Sequence, residues 1–86
     1  MVTAAMRIKV LFFGRLKEIV GRAEDEVEIG ENERLADLFA RYGARHAEAE
    51  RLRGSLVAAV NQEFAAWDAR LRHGDEVAFL PPVSGG

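Results

Sequence analysis

Residues 74–86 have the sequence GDEVAFLPPVSGG, and the rest of the chain can be arranged around this stretch. Within it, Glu76–Leu80 carries apolar side chains at both alternating sets of positions. This pattern is typical of a strand with one face in the core and the other against a second surface. Two prolines and a Gly-Gly pair follow with almost no linker. The sequence therefore predicts a domain that ends in a sheet strand and continues as a short tail.

The predicted tail spans residues 81–86. All six are candidate site residues for insertion into a partner: Pro81, Pro82, Val83, Ser84, Gly85 and Gly86. Prolines favour a stiff polyproline II rod, and glycines can pass through a channel too narrow for other residues. Fully extended, the tail would reach about 20 Å. A floppy chain end is the alternative, but the prolines and the lack of charged side chains favour a tail that delivers its terminal carboxylate into a partner's pocket.

Length and composition suit a single domain of 86 residues, with 49% hydrophobic residues to form a small core. There is no cysteine and there are only two histidines, so we expect no disulfide and no metal site. The net charge of −2 argues against a nucleic-acid partner. No apolar run approaches a membrane span, so we expect no membrane partner and a cytoplasmic location.

Periodicity predicts the order of secondary structure. The segments are a strand at 6–13, a short helix at 15–20, a strand at 24–29, a helix at 33–42, a strand at 56–60, a turn at 61–63 and a strand at 76–80. Asn32 is predicted as the N-cap of the longer helix and Gly43 as the residue that ends it. Residues 44–53 contain few apolar side chains and are predicted as a loop with helical tendency.

This order predicts an α+β domain in which a mixed sheet carries one main helix on one face. The apolar stripe of that helix falls at i, i+3, i+4 and i+7 and consists of Leu35, Leu38, Phe39 and Tyr42. We expect a loose leader at residues 1–5, the domain at 6–80 and the extended tail at 81–86.

A docking surface is predicted on the face of the sheet away from the helix. If Val77 and Phe79 point into the core, Leu80 points outward. Phe13, at the end of the first strand, and Phe64, beside a polar turn, are further exposed apolar candidates. The alternative is that the short helix or residues 44–53 cover these side chains.

The chemistry is expected at the C-terminal carboxylate, because the sequence shows no recognisable catalytic motif. Ser84 has no neighbour that could activate it. A carboxylate becomes reactive once it is adenylated, since AMP is a good leaving group, and a sulfur donor could then leave a thiocarboxylate on Gly86. Without cysteine, the chain cannot carry sulfur as a persulfide.

Three segments carry a family resemblance: KVLFFG at 9–14, LVAAVNQ at 56–62 and GDEVAFLPPVSGG at 74–86. They resemble the small subunits of molybdopterin synthases, which belong to the ubiquitin-like β-grasp sulfur carriers. The last segment is the most specific, and the likeness runs from residue 6 to residue 86. The implied fold is the ubiquitin-like β-grasp.

The resemblance also implies a reaction cycle and its partners. An E1-like adenylating enzyme would use ATP to adenylate Gly86, and a sulfurtransferase system would convert the adenylate to the thiocarboxylate. The synthase large subunit would hold the pterin precursor and the catalytic residues, in a heterotetramer of two small and two large subunits. By position, Phe13, Phe64 and Leu80 resemble family interface residues, and no cofactor would be bound to the chain itself.

Three alternatives stay open on the sequence alone. The chain could be a sulfur carrier for thiamine, thionucleoside or amino-acid synthesis. It could be a modifier conjugated to lysines of other proteins. It could also be an interaction domain with an inert tail.

Overall fold

The computed structural model describes residues 6–81. The strands are β1 (Met6–Phe12), β2 (Glu24–Ile29), β3 (Val57–Val60), β4 (Glu63–Ala65) and β5 (Glu76–Leu80). The helices are α1 (Gly14–Val20), α2 (Leu35–Arg45) and α3 (Ala47–Leu52), and a 3₁₀ turn follows at Arg53–Ser55. The predicted leader and residues 82–86 of the predicted tail lie outside the described residues, so the domain boundaries stay a prediction.

Within residues 6–81, five strands form one sheet in the order β2-β1-β5-β3-β4. β1 pairs with β5 in parallel, and the other neighbouring strands pair antiparallel. The first and last strands are therefore neighbours. The sheet is mixed, as expected, and β5 lies at its centre.

Helix α2 covers one face of this sheet, which we call the inner face. All four residues of its predicted apolar stripe are buried, as are Phe12 and Phe79 on the facing strands. The ring of Phe39 meets Phe79 edge-on with centroids 5.0 Å apart, and Phe12 meets Tyr42 in the same way at 4.9 Å. Such edge-to-face pairs stabilise a core beyond the area they bury. The predicted α+β architecture with one main helix on one face is confirmed.

The start of α2 differs from the prediction, because Arg34 rather than Asn32 is the N-cap. Asp37 Oδ2 accepts a hydrogen bond from the backbone N–H of Arg34 at 2.9 Å. The backbone N–H of Leu35 donates to the carbonyl of Ala69, in the loop before β5, at 3.0 Å. The free N–H groups of the first turn are therefore satisfied partly by a tertiary contact that local sequence does not display.

The end of α2 was also predicted wrongly, since Gly43 lies inside the helix and not after it. Gly43 lies against Glu50 of α3, whose carboxylate would have to move if position 43 carried a Cβ. Residues 44–53 are mainly helical rather than a loop. Ala49 anchors α3 in the core with no exposed surface; a single alanine is too small an apolar signal to predict this.

The turn predicted at 61–63 is shorter in the structure, because Glu63 already belongs to β4. Asn61 and Gln62 both have positive φ, 52° and 71°. Two such residues form the tight connection whose twist matches that of an antiparallel hairpin. β4 is consequently added as an edge strand that the sequence did not predict.

Candidate functional site

The face of the sheet opposite α2, here called the outer face, carries a row of small and apolar residues. The strand register places Leu11 beside Ala78, Ala78 beside Ala59, and Ala59 beside Phe64. Paired residues on neighbouring strands point to the same side of a sheet. The row therefore crosses four strands and continues the apolar character of the sheet to its β4 edge.

A second row lies closer to the end of β5, where Leu80 pairs with Val57. Phe13 follows β1 in an extended conformation and is the N-cap of α1, so alternation along the strand puts it on the side opposite Phe12. Together these residues form what we call the apolar outer surface: Leu11, Phe13, Val57, Phe64, Ala78 and Leu80.

Three of these side chains are strongly exposed for their size. Phe64 keeps 80% of its surface open, Phe13 42% and Val57 40%. Leu80 is partly exposed, whereas its chain neighbour Phe79 is fully buried. Exposed apolar patches rimmed by polar residues are candidates for interaction sites. The predicted outward orientation of Leu80, and the exposure of Phe13 and Phe64, agree with the structure.

The hairpin that carries Phe64 is held in place by Asn61. The Nδ2 atom of Asn61 donates to Asp75 Oδ1 at 2.9 Å, and its Oδ1 accepts from the backbone N–H of Glu76 at 3.0 Å. The backbone N–H of Asn61 donates to the carbonyl of Glu76 at 2.8 Å. Three bonds thus fix the β3–β4 hairpin to the start of β5, so that Phe64 is presented from a rigid element.

The remainder of the outer face is charged. Lys9 Nζ lies 3.4 Å from Glu24 Oε2, and Arg7 Nη2 lies 3.3 Å from Glu26 Oε1, across the β1–β2 pair. All four side chains are well exposed, so each pair contributes little to stability. Their effect is to confine the apolar outer surface to the half of the face near the ends of β1 and β5.

The predicted tail leaves from that same half. β1 and β5 are parallel and end at one edge of the sheet, and Pro81 follows β5 directly as an exposed residue. The other predicted tail residues, 82–86, lie outside the described part of the chain. The apolar outer surface therefore lies beside the point at which the chain leaves β5.

Val57 belongs to this surface but was not predicted from the sequence. Its signal was present, because residues 56–60 are apolar at both alternating positions, as residues 76–80 are. The alternative in which the short helix or residues 44–53 cover these side chains does not hold for Phe13 and Phe64, since both stay exposed.

Away from this surface, Tyr42 makes a contact that links two elements of the fold. The hydroxyl of Tyr42 donates to Asp25 Oδ2 at 3.0 Å and links α2 to β2. Burial, with the Asp25 carboxylate second, raises the pKa of this hydroxyl above its usual value. Within residues 6–81, no three histidine or acidic side chains are grouped so as to hold a metal ion. None of the helices in this range is long and apolar enough to cross a membrane, and the cytoplasmic location stays a prediction.

The fold defines a class of protein: a mixed sheet with parallel first and last strands and a helix across one face is the ubiquitin-like β-grasp. The model of the ThiS family matches residues 10–86, and the chain belongs to this family. The resemblance stated from the sequence is thereby confirmed.

Relatives match over almost the whole chain. A molybdopterin synthase sulfur carrier subunit from Chlamydomonas reinhardtii is 39% identical, with 94% of this chain and 100% of that protein covered. A solved structure from Pyrococcus furiosus, a putative molybdopterin converting factor subunit 1, is 30% identical with a TM-score of 0.77 and covers 91% of this chain and 99% of its own.

A third similar structure is a protein–protein complex. It contains subunits 1 and 2 of the molybdopterin-converting factor of Helicobacter pylori. Its matching chain is 28% identical with a TM-score of 0.61, and the match covers 94% of this chain and 100% of that one.

Proposed function

We propose that the chain is the sulfur carrier subunit of a molybdopterin synthase. The observation that carries the proposal is the near full-length match to the Chlamydomonas reinhardtii protein of that name. The structure adds a physical reason, because the tail starts beside the apolar outer surface, where β1 and β5 end. A partner that binds this surface would receive the tail directly.

The sulfur would be carried on Gly86 as a thiocarboxylate. An E1-like adenylating enzyme would join the Gly86 carboxylate to the AMP part of ATP and release pyrophosphate. A sulfur nucleophile at the oxidation level of hydrosulfide, supplied by a sulfurtransferase system, would then attack the carbonyl carbon. AMP would leave with the electrons of the broken C–O bond. ATP is consumed by the activating enzyme and is not a resident cofactor of this chain.

Delivery requires docking on the large subunit. Phe13, Phe64 and Leu80 would bury their exposed area against it, and residues 81–86 would enter its active site. The large subunit would hold the pterin precursor, cyclic pyranopterin monophosphate, together with the catalytic residues. The Helicobacter pylori complex supports a partner of this kind, and we extend it to a heterotetramer of two small and two large subunits. The carrier is then a co-substrate of the synthase.

The length of the tail gives the most direct test. Deleting Gly86, or adding one residue after it, shifts the reacting carbon by about 3.3 Å, and a misplacement of even ~1 Å can cost about a hundredfold in rate. We expect either change to abolish sulfur transfer to the precursor in the presence of the large subunit, with an unchanged circular dichroism spectrum. Deletion of Ala4 from the predicted leader is the matched control and should leave transfer intact.

Intact mass of the protein from its native cell separates the alternatives. We expect one oxygen exchanged for sulfur, located on the C-terminal peptide. A thiocarboxylate that the large subunit cannot use would indicate another sulfur-transfer pathway, and Gly86 linked to lysines would indicate a modifier. If a protein lacking Gly86 still supports synthesis of molybdopterin, the tail has no role in transfer and the proposal is wrong.

A further inference from the structure

Gly14 and Pro81 lie beyond the ends of two neighbouring parallel strands. The last pair in the register of β1 and β5 joins Phe12 to Phe79. Gly14 comes two residues after Phe12, and Pro81 comes two residues after Phe79. The residue at which β1 turns into α1 is therefore beside the residue at which the chain leaves β5.

The ring of Pro81 occupies space that a side chain at position 14 would need. A Cβ built on Gly14 would lie 3.2 Å from Cγ of Pro81 and 3.7 Å from its Cδ, and the three nearest atoms to it all belong to Pro81. Carbon atoms in favourable contact are roughly 3.5–4.0 Å apart. The ring thus packs against the bare Cα of Gly14 more closely than a residue with a side chain comfortably allows.

We propose that Gly14 is a positioning residue, which sets the direction of the C-terminal tail by providing the seat for the Pro81 ring. The inference rests on the proposed function, because it assigns this contact a role in delivering Gly86. Pro81 has a fixed φ, and the residue before it, Leu80, is held in β5. Because another proline follows, ψ of Pro81 is restricted to extended values, so the packing of its ring would bias the direction in which the chain continues.

Small changes at this seat would be amplified along the tail. An extended segment from Pro82 to Gly86 would span about 17 Å. A rotation of about 10° at its base would move such an end by roughly 3 Å, which exceeds the ~1 Å that reaction geometry tolerates. A change at position 14 would in this way alter where the reacting group is presented.

A simpler explanation of Gly14 is its backbone conformation. Its φ of +56° favours glycine at the turn from β1 into α1, whatever the tail does. Gly21 provides the matched control, because its φ is +85° at the other end of α1 and no atom lies within 4 Å of a Cβ built on it. Gly14→Leu and Gly21→Leu both carry the conformational cost, but only the former displaces Pro81.

The first experiment measures binding and sulfur transfer with the large subunit. It uses the full chain and a chain that ends at Pro81, each with and without the two substitutions. For Gly14→Leu we expect transfer to fall by about a hundredfold in the full chain, while the affinity of the shortened chain is unchanged. Gly21→Leu should alter neither. If Gly14→Leu lowers the affinity of the shortened chain for the large subunit, the substitution damages the docking surface, and the proposal would be overturned.

The second experiment needs no partner. Since the chain has no cysteine, Ser84→Cys can carry a single nitroxide label whose paramagnetic broadening of backbone amides reports where the tail goes. We expect Gly14→Leu to change the set of broadened amides and Gly21→Leu to leave it unchanged. An identical pattern in all three proteins would overturn the proposal.

Folding and the proposed function are controlled separately. If Gly14→Leu does not fold, Gly14→Ala serves in both experiments. The three atoms nearest to its one added carbon all belong to Pro81. The same changes are expected, smaller in size, and their absence counts against the proposal. If the wild-type chain fails to transfer sulfur with the large subunit, the proposed function is wrong, and the label still decides whether Gly14 directs the tail.

Discussion

The two faces of the sheet use the same strands for opposite purposes. On the inner face, Phe79 and Val77 of β5 are fully buried under α2. On the outer face, Leu80 of the same strand is partly exposed, and Phe64 on β4 keeps most of its surface open. Side-chain alternation in β5 therefore places one set of apolar residues in the core and leaves the other set on the outer face.

The aromatic rings of the inner face pack against one another, whereas Phe13 and Phe64 of the apolar outer surface stay exposed. Trp67 stacks on Phe79 at 6.0 Å, and Phe39 lies edge-on to Phe79 at 5.0 Å. The outer face instead places charged pairs beside its apolar half, between Lys9 and Glu24 for example. Charges near an exposed sheet face reduce unwanted pairing with other chains.

The largest expected effect tests the inner face. Phe79→Ala should lower the free energy of unfolding by about 3–5 kcal/mol, because it removes a fully buried ring and leaves a cavity. Urea unfolding followed by circular dichroism measures this loss. Phe64→Ala on the outer face is the matched control and should stay within about 0.5 kcal/mol of wild type. Equal losses in the two variants would contradict the distinction between the faces.

A smaller effect is expected for Leu80→Glu, and it should appear in binding. Burial of a side chain of this size at an interface contributes roughly 1.5–3 kcal/mol, and an unpaired buried carboxylate adds a cost. Titration calorimetry should show weakened binding to the large subunit with the circular dichroism spectrum unchanged, whereas Leu80→Met should bind almost normally. Unfolding of the Leu80→Glu protein would instead assign Leu80 to the core.

The smallest effect is expected at the edge of the inner face, for the hydrogen bond between Tyr42 of α2 and Asp25 of β2. Tyr42→Phe should cost about 1 kcal/mol at neutral pH through the lost hydrogen bond. Because the pKa of Tyr42 is raised in the folded state, chiefly by burial, its neutral form is favoured there. Its contribution is complete below about pH 10, the usual pKa of tyrosine, and is lost as the pH rises through the raised pKa.

Urea unfolding of both proteins between pH 8 and pH 12 measures this contribution. The wild type should lose stability relative to Tyr42→Phe as the solution becomes more alkaline. A constant difference between the two proteins across this range would show that the Tyr42 hydroxyl is not coupled to folding.

The sequence predicted the parts of the fold that repeat a pattern. The alternation in residues 76–80 predicted that Phe79 and Leu80 lie on opposite faces of the sheet, and the helical stripe predicted the buried face of α2. β4 was not predicted because its three residues show no pattern, and pairing with β3 holds them in place. Gly43 was interpreted as a helix end, since a glycine that ends a helix and one inside a helix look alike in sequence.

The sequence identified several residues of the candidate site but not the contacts between them. Phe13, Phe64 and Leu80 could be selected because apolar residues stood where the periodic pattern left them unburied. The contact of Gly14 with Pro81 depends on the register of two strands from opposite ends of the described chain, and no local signal carries it. The roles of these residues in binding a partner stay predictions.

The central position of β5 in the sheet also sets the order in which the sheet forms during synthesis. Because β5 lies between β1 and β3, the sheet cannot be completed until β5 has left the ribosome. Contacts between segments far apart in sequence form only after a long loop closes. A chain whose translation stops before residue 76 lacks the central strand and remains exposed to proteases. We therefore expect the domain to become compact and resistant to proteases only after β5 has been translated.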